Sequence, residues 1–437
     1  MRVSFHTLGC KLNYAETAAL ERQFVGRGFA VANFGDPAEV CVINTCTVTQ
    51  RAERDCRQMV RRALRTSPQA FVVVLGCYAQ LSPEAIASID GVDLVLGTGE
   101  KFNLFDYAGA FEKNDVPRIH ASSIAETSDF GPAYSGEGSD RTRAFLKVQD
   151  GCDFTCSYCT IPLARGKSRS QSIEACVEQA RRIVADGYKE IVLTGVNVGD
   201  FGQTSGTTLL ELLIALEEID GLQRIRISSI EPNLLSPQLL DHWITSKKIC
   251  NHFHIPLQSA ADSILRAMRR RYTAEDYRAL ITAIRQRDPD AGIGADVIVG
   301  FPGETEEEFR EAYRFLQEIP VNYFHVFTYS ERPNTPSVER AGRVEPRVRF
   351  KRSSQLRLLG KKKKEAFFAS QCGKTVPVLL ERTVENDMLS GYTTHYVRVA
   401  VPFQPSLLNE IVPVRIEQYG AELCTGTVVS IHENEAA

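Results

Sequence analysis

The chain has 437 residues, 51 of them basic and 54 acidic, for a net charge of −3, and 12 cysteines. That length exceeds one ordinary core and implies several domains of roughly 100–200 residues each. The near-neutral charge excludes wholesale polyanion binding, and no apolar run approaches the ~20 residues of a membrane span.

The opening Met1-Arg2-Val3-Ser4-Phe5-His6 lacks the apolar core of a signal peptide, so a cytoplasmic location with no membrane partner is expected. In that reducing compartment clustered cysteines point to metal or redox chemistry rather than disulfides. The first hundred residues alternate strand and helix: Val3–Leu8 then Asn13–Arg27, Val40–Asn44 then Val48–Leu64, Phe71–Leu75 then Pro83–Ile89. Alternation of this kind predicts an open parallel α/β sheet. A cysteine follows each strand: Cys10, Cys46 and Cys77. Loops at the carboxyl ends of parallel strands gather at one edge, where ligands bind, so three thiols can converge there.

Between about Asp115 and Thr142 the pattern lapses into Ser, Gly, Pro, Asp and Glu, a linker signature. A second alternating series has strands at Phe145–Val148, Glu190–Thr194, Arg224–Ser228, His252–Ile255, Ala295–Val299 and Tyr323–Thr328, with helical runs such as Ser172–Ala185, Thr207–Ile219 and Glu304–Glu318. This predicts a full or partial (β/α) barrel with its active site at the carboxyl ends of the strands. After Lys364, short alternating stretches at Thr375–Glu381, His395–Val401 and Ile411–Gln418 predict a small antiparallel β-barrel. The expected division is 1–113, a linker at 114–137, a core at 138–366 and a last domain at 367–437.

Just after the first barrel strand, Cys152, Cys156 and Cys159 supply thiolates at spacings of four and three. Such a loop can hold three irons of a cubane cluster and leave the fourth without a protein ligand. Tetrahedral zinc would need a fourth nearby Cys or His, and none follows before Cys176. Tyr158 can lie along an adenine face or simply pack the loop. Cys41, Cys56, Cys176, Cys250, Cys372 and Cys424 read as ordinary small apolar residues. His252 and His254 share a strand face, but without a third nearby ligand they read as packing.

Cys-x-x-x-Cys-x-aromatic-Cys at this position resembles the radical S-adenosylmethionine (SAM) superfamily, and the flanking 148–152 and 161–170 resemble its methylthiotransferase family. The stretches 7–17, 44–48, 76–80, 254–259 and 296–304 match that family in order, and the last domain is placed like its RNA-binding TRAM domain. The resemblance implies two 4Fe-4S clusters, one on Cys152, Cys156 and Cys159 and one on Cys10, Cys46 and Cys77. It implies that SAM, chelated by the first, is cleaved by one electron to a 5′-deoxyadenosyl radical, and that a methylated sulfur from the second replaces the hydrogen removed. Gly195, Asn197, Ser229, Glu231 and Gln258 at the barrel mouth are candidates for holding the nucleoside, or polar strand ends satisfying their own turns. Arg270 can pair with a carboxylate or a phosphate, though a solvated helix terminus is the default for any of Arg269, Arg270 and Arg271.

The family modifies RNA or a ribosomal protein. Arg54, Arg57, Arg61 and Arg65 on one helix side, and Arg347, Arg349, Lys351, Arg352 and Lys361–Lys364, suit a folded RNA backbone or a solvated face. Gly9-Cys10-Lys11-Leu12-Asn13 and Ser228-Ser229-Ile230-Glu231-Pro232 look like enzymes that convert N6-threonylcarbamoyladenosine to its 2-methylthio form in the tRNA anticodon stem-loop. Isopentenyladenosine enzymes usually carry Gln-Met-Asn after the first cysteine, and ribosomal-protein (aspartate) enzymes Pro-Lys-Asn. Such an enzyme needs an electron donor such as flavodoxin or ferredoxin, and a sulfur donor. The non-enzyme alternative, an iron–sulfur electron carrier, would saturate its cluster with four ligands.

Overall fold

The computed structural model of the chain describes residues 1–47, 50–127, 130–136 and 141–429. The expected helix start at Val48, residues 128–129 and 137 of the expected linker, and residues 138–140 of the expected core lie outside the described residues. Strands β1 (Arg2–Thr7), β2 (Ala30–Ala32), β3 (Val40–Thr45), β4 (Phe71–Gly76), β5 (Leu94–Leu96) and β6 (Arg118–His120) form one sheet in the order β2-β1-β3-β4-β5-β6. Every pairing is parallel. β3 and β4 are buried at every position, as strands covered on both faces must be, which is why they are continuous apolar runs. Helix Lys11–Val25 lays Leu20 and Phe24 against Val40, Val42 and Val73 on one face. Helix Gln50–Thr66 lays Cys56, Val60 and Ala63 against Ile43, Val72 and Val74 on the other. β6 pairs with β5 from within the stretch expected to be a linker, so the sheet runs past residue 113 to His120.

The second unit begins with β7 (Ala144–Lys147) and a short antiparallel pair, β8 (Gln149–Asp150) and β9 (Arg169–Ser170), which clamps the base of the cysteine loop. β10 (Glu190–Thr194), β11 (Arg224–Ile227), β12 (His252–His254), β13 (Gly292–Val299) and β14 (Tyr323–Thr328) follow. They form two parallel sheets, β11-β10-β7 and β12-β13-β14, bridged between Ile225 and Ile249. Leu146, Ile191, Leu193, Ile225, Phe253, Ile293 and Val297 join a core with the outer helices. Strand alternation then turns Phe145, Lys147, Glu190, Val192, Arg226, His254, Asp296 and His325 to the inner face. Six strands leave the arc open at one side. Helix Lys11–Val25 lies against the inner face, packing Ala15 and Ala19 on Phe145 and Val192.

Helix Pro346–Gln371 runs across the expected boundary at 366/367 and ends with Phe367 and Phe368 in the core of the last domain. There β15 (Thr375–Glu385), β16 (Met388–Thr393), β17 (Arg398–Pro402), β18 (Ile411–Tyr419) and β19 (Cys424–Val428) close a barrel, antiparallel except for β17 with β19. This barrel covers the amino ends of the (β/α) strands. Arg224 donates to the carbonyls of Tyr392 at 2.9 Å and Pro377 at 2.8 Å, and Tyr396 stacks on His252 with centroids 4.2 Å apart. Two arginines expected in an RNA-facing stripe turn inward instead: Arg349 pairs with Glu331 and Arg352 with Glu304, each at 2.6 Å. Charge patterning cannot separate a buried arginine with a distant partner from a solvated one. Among the described residues no helix is long and apolar enough to cross a membrane.

Candidate active site

Cys152, Cys156 and Cys159 sit on the loop between β8 and β9, at the carboxyl end of β7. The loop is held by its own backbone: Cys152 N–H donates to Gly166 O at 3.0 Å, and Cys159 N–H to Cys156 O at 3.1 Å. Gly151 has φ +71°, and a Cβ there would lie 1.9 Å from Lys167 O, so only glycine fits before the first cysteine. The sulfurs collect donors: Phe154 N–H reaches Cys152 Sγ and Ile161 N–H reaches Cys159 Sγ, both at 3.4 Å, and Arg270 Nη1 reaches Cys156 Sγ at 3.1 Å. Burial pushes the Cys152 thiol up to about 11 and the Cys159 thiol up to about 12. Iron binding at these sulfurs therefore releases protons.

The first triplet is assembled by topology. Cys10, Cys46 and Cys77 follow β1, β3 and β4, neighbours in the sheet. Gly9, at φ +102°, comes so near Cys46 that a Cβ would meet Cys46 Cβ at 2.7 Å. Asn13 ties the loops together, donating to Leu8 O at 2.8 Å and Thr45 O at 3.0 Å. Among the described residues only His254, Asp296 and His325 bring three such ligand atoms within 4.8 Å of one another. A single tetrahedral ion with bonds of 2.3 Å to sulfur would hold its thiolates about 3.8 Å apart. Neither cysteine triplet is that tight among the described residues, so neither is set for a single tetrahedral ion.

Between the triplets lies a buried charge cluster. Arg165 donates to Cys77 Sγ at 3.2 Å, Asn13 Oδ1 at 2.7 Å, and Glu16 and Asp150 at 2.9 Å each. Lys101 joins Glu16 at 2.7 Å, and Lys147 reaches Asp150 at 2.8 Å. Burial opposes ionisation, yet Arg165, Lys101 and Lys147 hold Glu16 well below the usual carboxylate range. Three fully buried cations thus face two carboxylates. An unmatched buried charge is costly, and an anionic thiolate-bound cluster at Cys77 is the counter-charge this donor set fits.

The expected nucleoside-binding residues separate into groups. Tyr158 and Gln258 line a cavity of about 210 Å³ with Cys159, Asp296, Ile298 and Tyr329. Asn197 is buried; its N–H donates to Gln149 Oε1 at 2.8 Å, while its side-chain Nδ2 and Oδ1 lack a partner among the described residues. An orphaned buried amide beside the cysteine loop fits a polar cofactor. Gly195 is needed by Gln149, whose Oε1 would be 2.9 Å from a Cβ. Glu231 is ion-paired with Arg270, whose Nε also reaches Tyr272 OH at 3.1 Å. Arg270 is thus buried in a network and not the solvated helix terminus that local sequence suggests. Ser229 is half-buried after β11.

His252 packs as expected, bonded to Tyr323 OH at 2.6 Å, whereas His254 finds its third partner across two strands, with Asp296 Oδ1 3.1 Å from both His254 and His325. Sequence reasoning assigned nothing to Arg165, Lys101, Glu16 or Asp150. A lysine within the apolar strand Phe145–Val148 was the one available signal of a buried charge cluster.

The Radical SAM superfamily profile matches residues 146–316, and that of Uncharacterized protein family UPF0004 matches residues 2–97. The threonylcarbamoyladenosine tRNA methylthiotransferase MtaB of Bacillus subtilis (strain 168) is 38% identical, covering 99% of this chain and 97% of its own. The tRNA-2-methylthio-N(6)-dimethylallyladenosine synthase of Pelotomaculum thermopropionicum is 33% identical, covering 93% of each chain. Among solved structures, the radical S-adenosylmethionine methyltransferase TsrM from Kitasatospora setae, with cobalamin and a 4Fe-4S cluster bound, has a TM-score of 0.54 at 15% identity over 77% of each chain, a likeness of fold.

Proposed function

Because this chain belongs to the radical SAM tRNA methylthiotransferase family, we propose that it replaces the C2 hydrogen of N6-threonylcarbamoyladenosine in the tRNA anticodon stem-loop with a methylthio group. It works with two 4Fe-4S clusters and SAM, which supply the one-electron and sulfur-transfer chemistry that side chains cannot. Cys152, Cys156 and Cys159 hold the cluster at the barrel mouth, and Cys10, Cys46 and Cys77 hold the other. Asn197, Ser229, Glu231 and Gln258 bind the polar groups of SAM, Gly195 lets Gln149 close against the loop, and Tyr158 lies against the adenine. Arg270 fixes Cys156 and Glu231 together. Arg165, by touching Cys77 and anchoring the loop that ends at Gly166, sets the two cluster sites in one register.

Arg54, Arg57, Arg61 and Arg65 are exposed along helix Gln50–Thr66, on the side of the first domain that carries Cys46, and serve the stem-loop phosphates. The reaction also requires an electron donor such as flavodoxin or ferredoxin and a sulfur donor, in the cytoplasm where tRNA is modified. The observation that carries the substrate assignment is the 38% identity to the Bacillus subtilis threonylcarbamoyladenosine enzyme over nearly the whole chain. Nucleoside mass spectrometry of tRNA from a deletion strain tests it. Loss of 2-methylthio-N6-threonylcarbamoyladenosine, restored by the gene, is expected. Its persistence while the methylthio-isopentenyl nucleoside disappears would contradict the assignment.

A further inference from the structure

Helix Lys11–Val25 carries a charge into the barrel. Lys11, Ala15 and Ala19 are spaced by four and share one helix face, and the two alanines pack on Phe145 and Val192 of the inner barrel wall. Lys11 is therefore directed into the interior, one residue after Cys10. The ionisable groups around it there are Glu190, Arg226, Arg143 and Tyr396. No carboxylate among the described residues forms an ion pair with it. Glu190 is engaged by Arg226 at 2.8 Å and Arg224 at 3.8 Å, and Asp296 lies between His254 and His325. Of the groups that share the interior, the cations outnumber the free anions.

The two nucleosides named for the relatives differ in what hangs from N6. Threonylcarbamoyl ends in a carboxylate; dimethylallyl is neutral and apolar. On the inner wall Lys147, Glu190, Arg226, His254 and His325 already have partners, so Lys11 is the charge that a buried alkene would leave unpaired and a carboxylate would match. We infer that Lys11 is a specificity-determining residue whose ammonium pairs with the threonyl carboxylate of the substrate nucleoside. Its place beside Cys10 sets that contact next to the sulfur-donating cluster, so recognising the carboxylate also positions C2. This inference rests on the threonylcarbamoyl reading above, and sites built around a charged hydrogen bond discriminate strongly against substrates that cannot make it.

The test uses the full-length reconstituted enzyme and two synthetic anticodon stem-loops, one with N6-threonylcarbamoyladenosine and one with its methyl ester. Wild-type enzyme should prefer the acid by roughly ten- to a hundred-fold in kcat/KM. Lys11→Met should lose that factor on the acid and treat acid and ester alike, with iron content unchanged, and Lys11→Arg should restore part of the preference. A Lys11→Met enzyme that still prefers the acid overturns the inference, even if both rates fall. Failure of wild-type enzyme to modify either stem-loop would instead strike the parent reading. If Lys11→Met takes up no iron, stem-loop affinity of the full chain decides: a Kd that no longer separates acid from ester supports the pairing, and one that still does refutes it.

Discussion

The two cysteine triplets reach the same ligand count by opposite routes. Cys152, Cys156 and Cys159 lie within eight residues, on a loop clamped by β8 and β9 and closed by its own backbone. Cys10, Cys46 and Cys77 span 68 residues and meet only because β1, β3 and β4 are neighbours in a finished sheet. The local triplet depends on a turn. The dispersed one depends on the tertiary structure of a domain, and on Arg165 to balance the charge beneath it.

The contrast can be broken at several points. The largest effect is expected for Cys156→Ala, which should abolish formation of 5′-deoxyadenosine from SAM while about half of the iron is retained, read by product chromatography and iron assay. Next is Arg165→Met, which removes the bonds to Cys77, Asn13, Glu16 and Asp150 while Lys101, Lys147 and Arg169 still pair the two carboxylates. It should cost about 1.5–3 kcal/mol of stability, measured by denaturant unfolding, and loosen the Cys77 site before the Cys152 loop. Arg270→Gln removes charge-assisted bonds to Cys156 and Glu231. A loss of about 1.5–3 kcal/mol, with a raised KM for SAM, is expected on the barrel side only. The smallest effect belongs to Tyr396→Ala, in the last domain, where loss of the stack on His252 should lower stability by about 0.5–1.5 kcal/mol and leave iron content unchanged.

The same contrast explains what the sequence disclosed. The loop triplet was legible because its spacing is local, and the parallel strands because β3 and β4 are unbroken apolar runs. β2, β5 and β6, three residues each, are too short for any period to register. That Cys10, Cys46 and Cys77 follow strands was visible, but their adjacency depended on a strand order that periodicity does not encode. Arg165 lies in the stretch 161–170 with no local sign of its role, because its partners Glu16 and Cys77 are 149 and 88 residues away. Arg349 and Arg352 failed the other way: a basic run looked solvated until Glu331 and Glu304 met it through the fold.

The central claim is that the two triplets hold separate clusters with separate tasks. Its most direct test is the variant with Cys10, Cys46 and Cys77 all changed to Ala, reconstituted anaerobically and given SAM, reductant and substrate tRNA. The account predicts about four irons per chain, continued release of 5′-deoxyadenosine, and no methylthio nucleoside in the tRNA. Methylthiolated product from this variant, or no 5′-deoxyadenosine despite a full cluster on Cys152, Cys156 and Cys159, would contradict it.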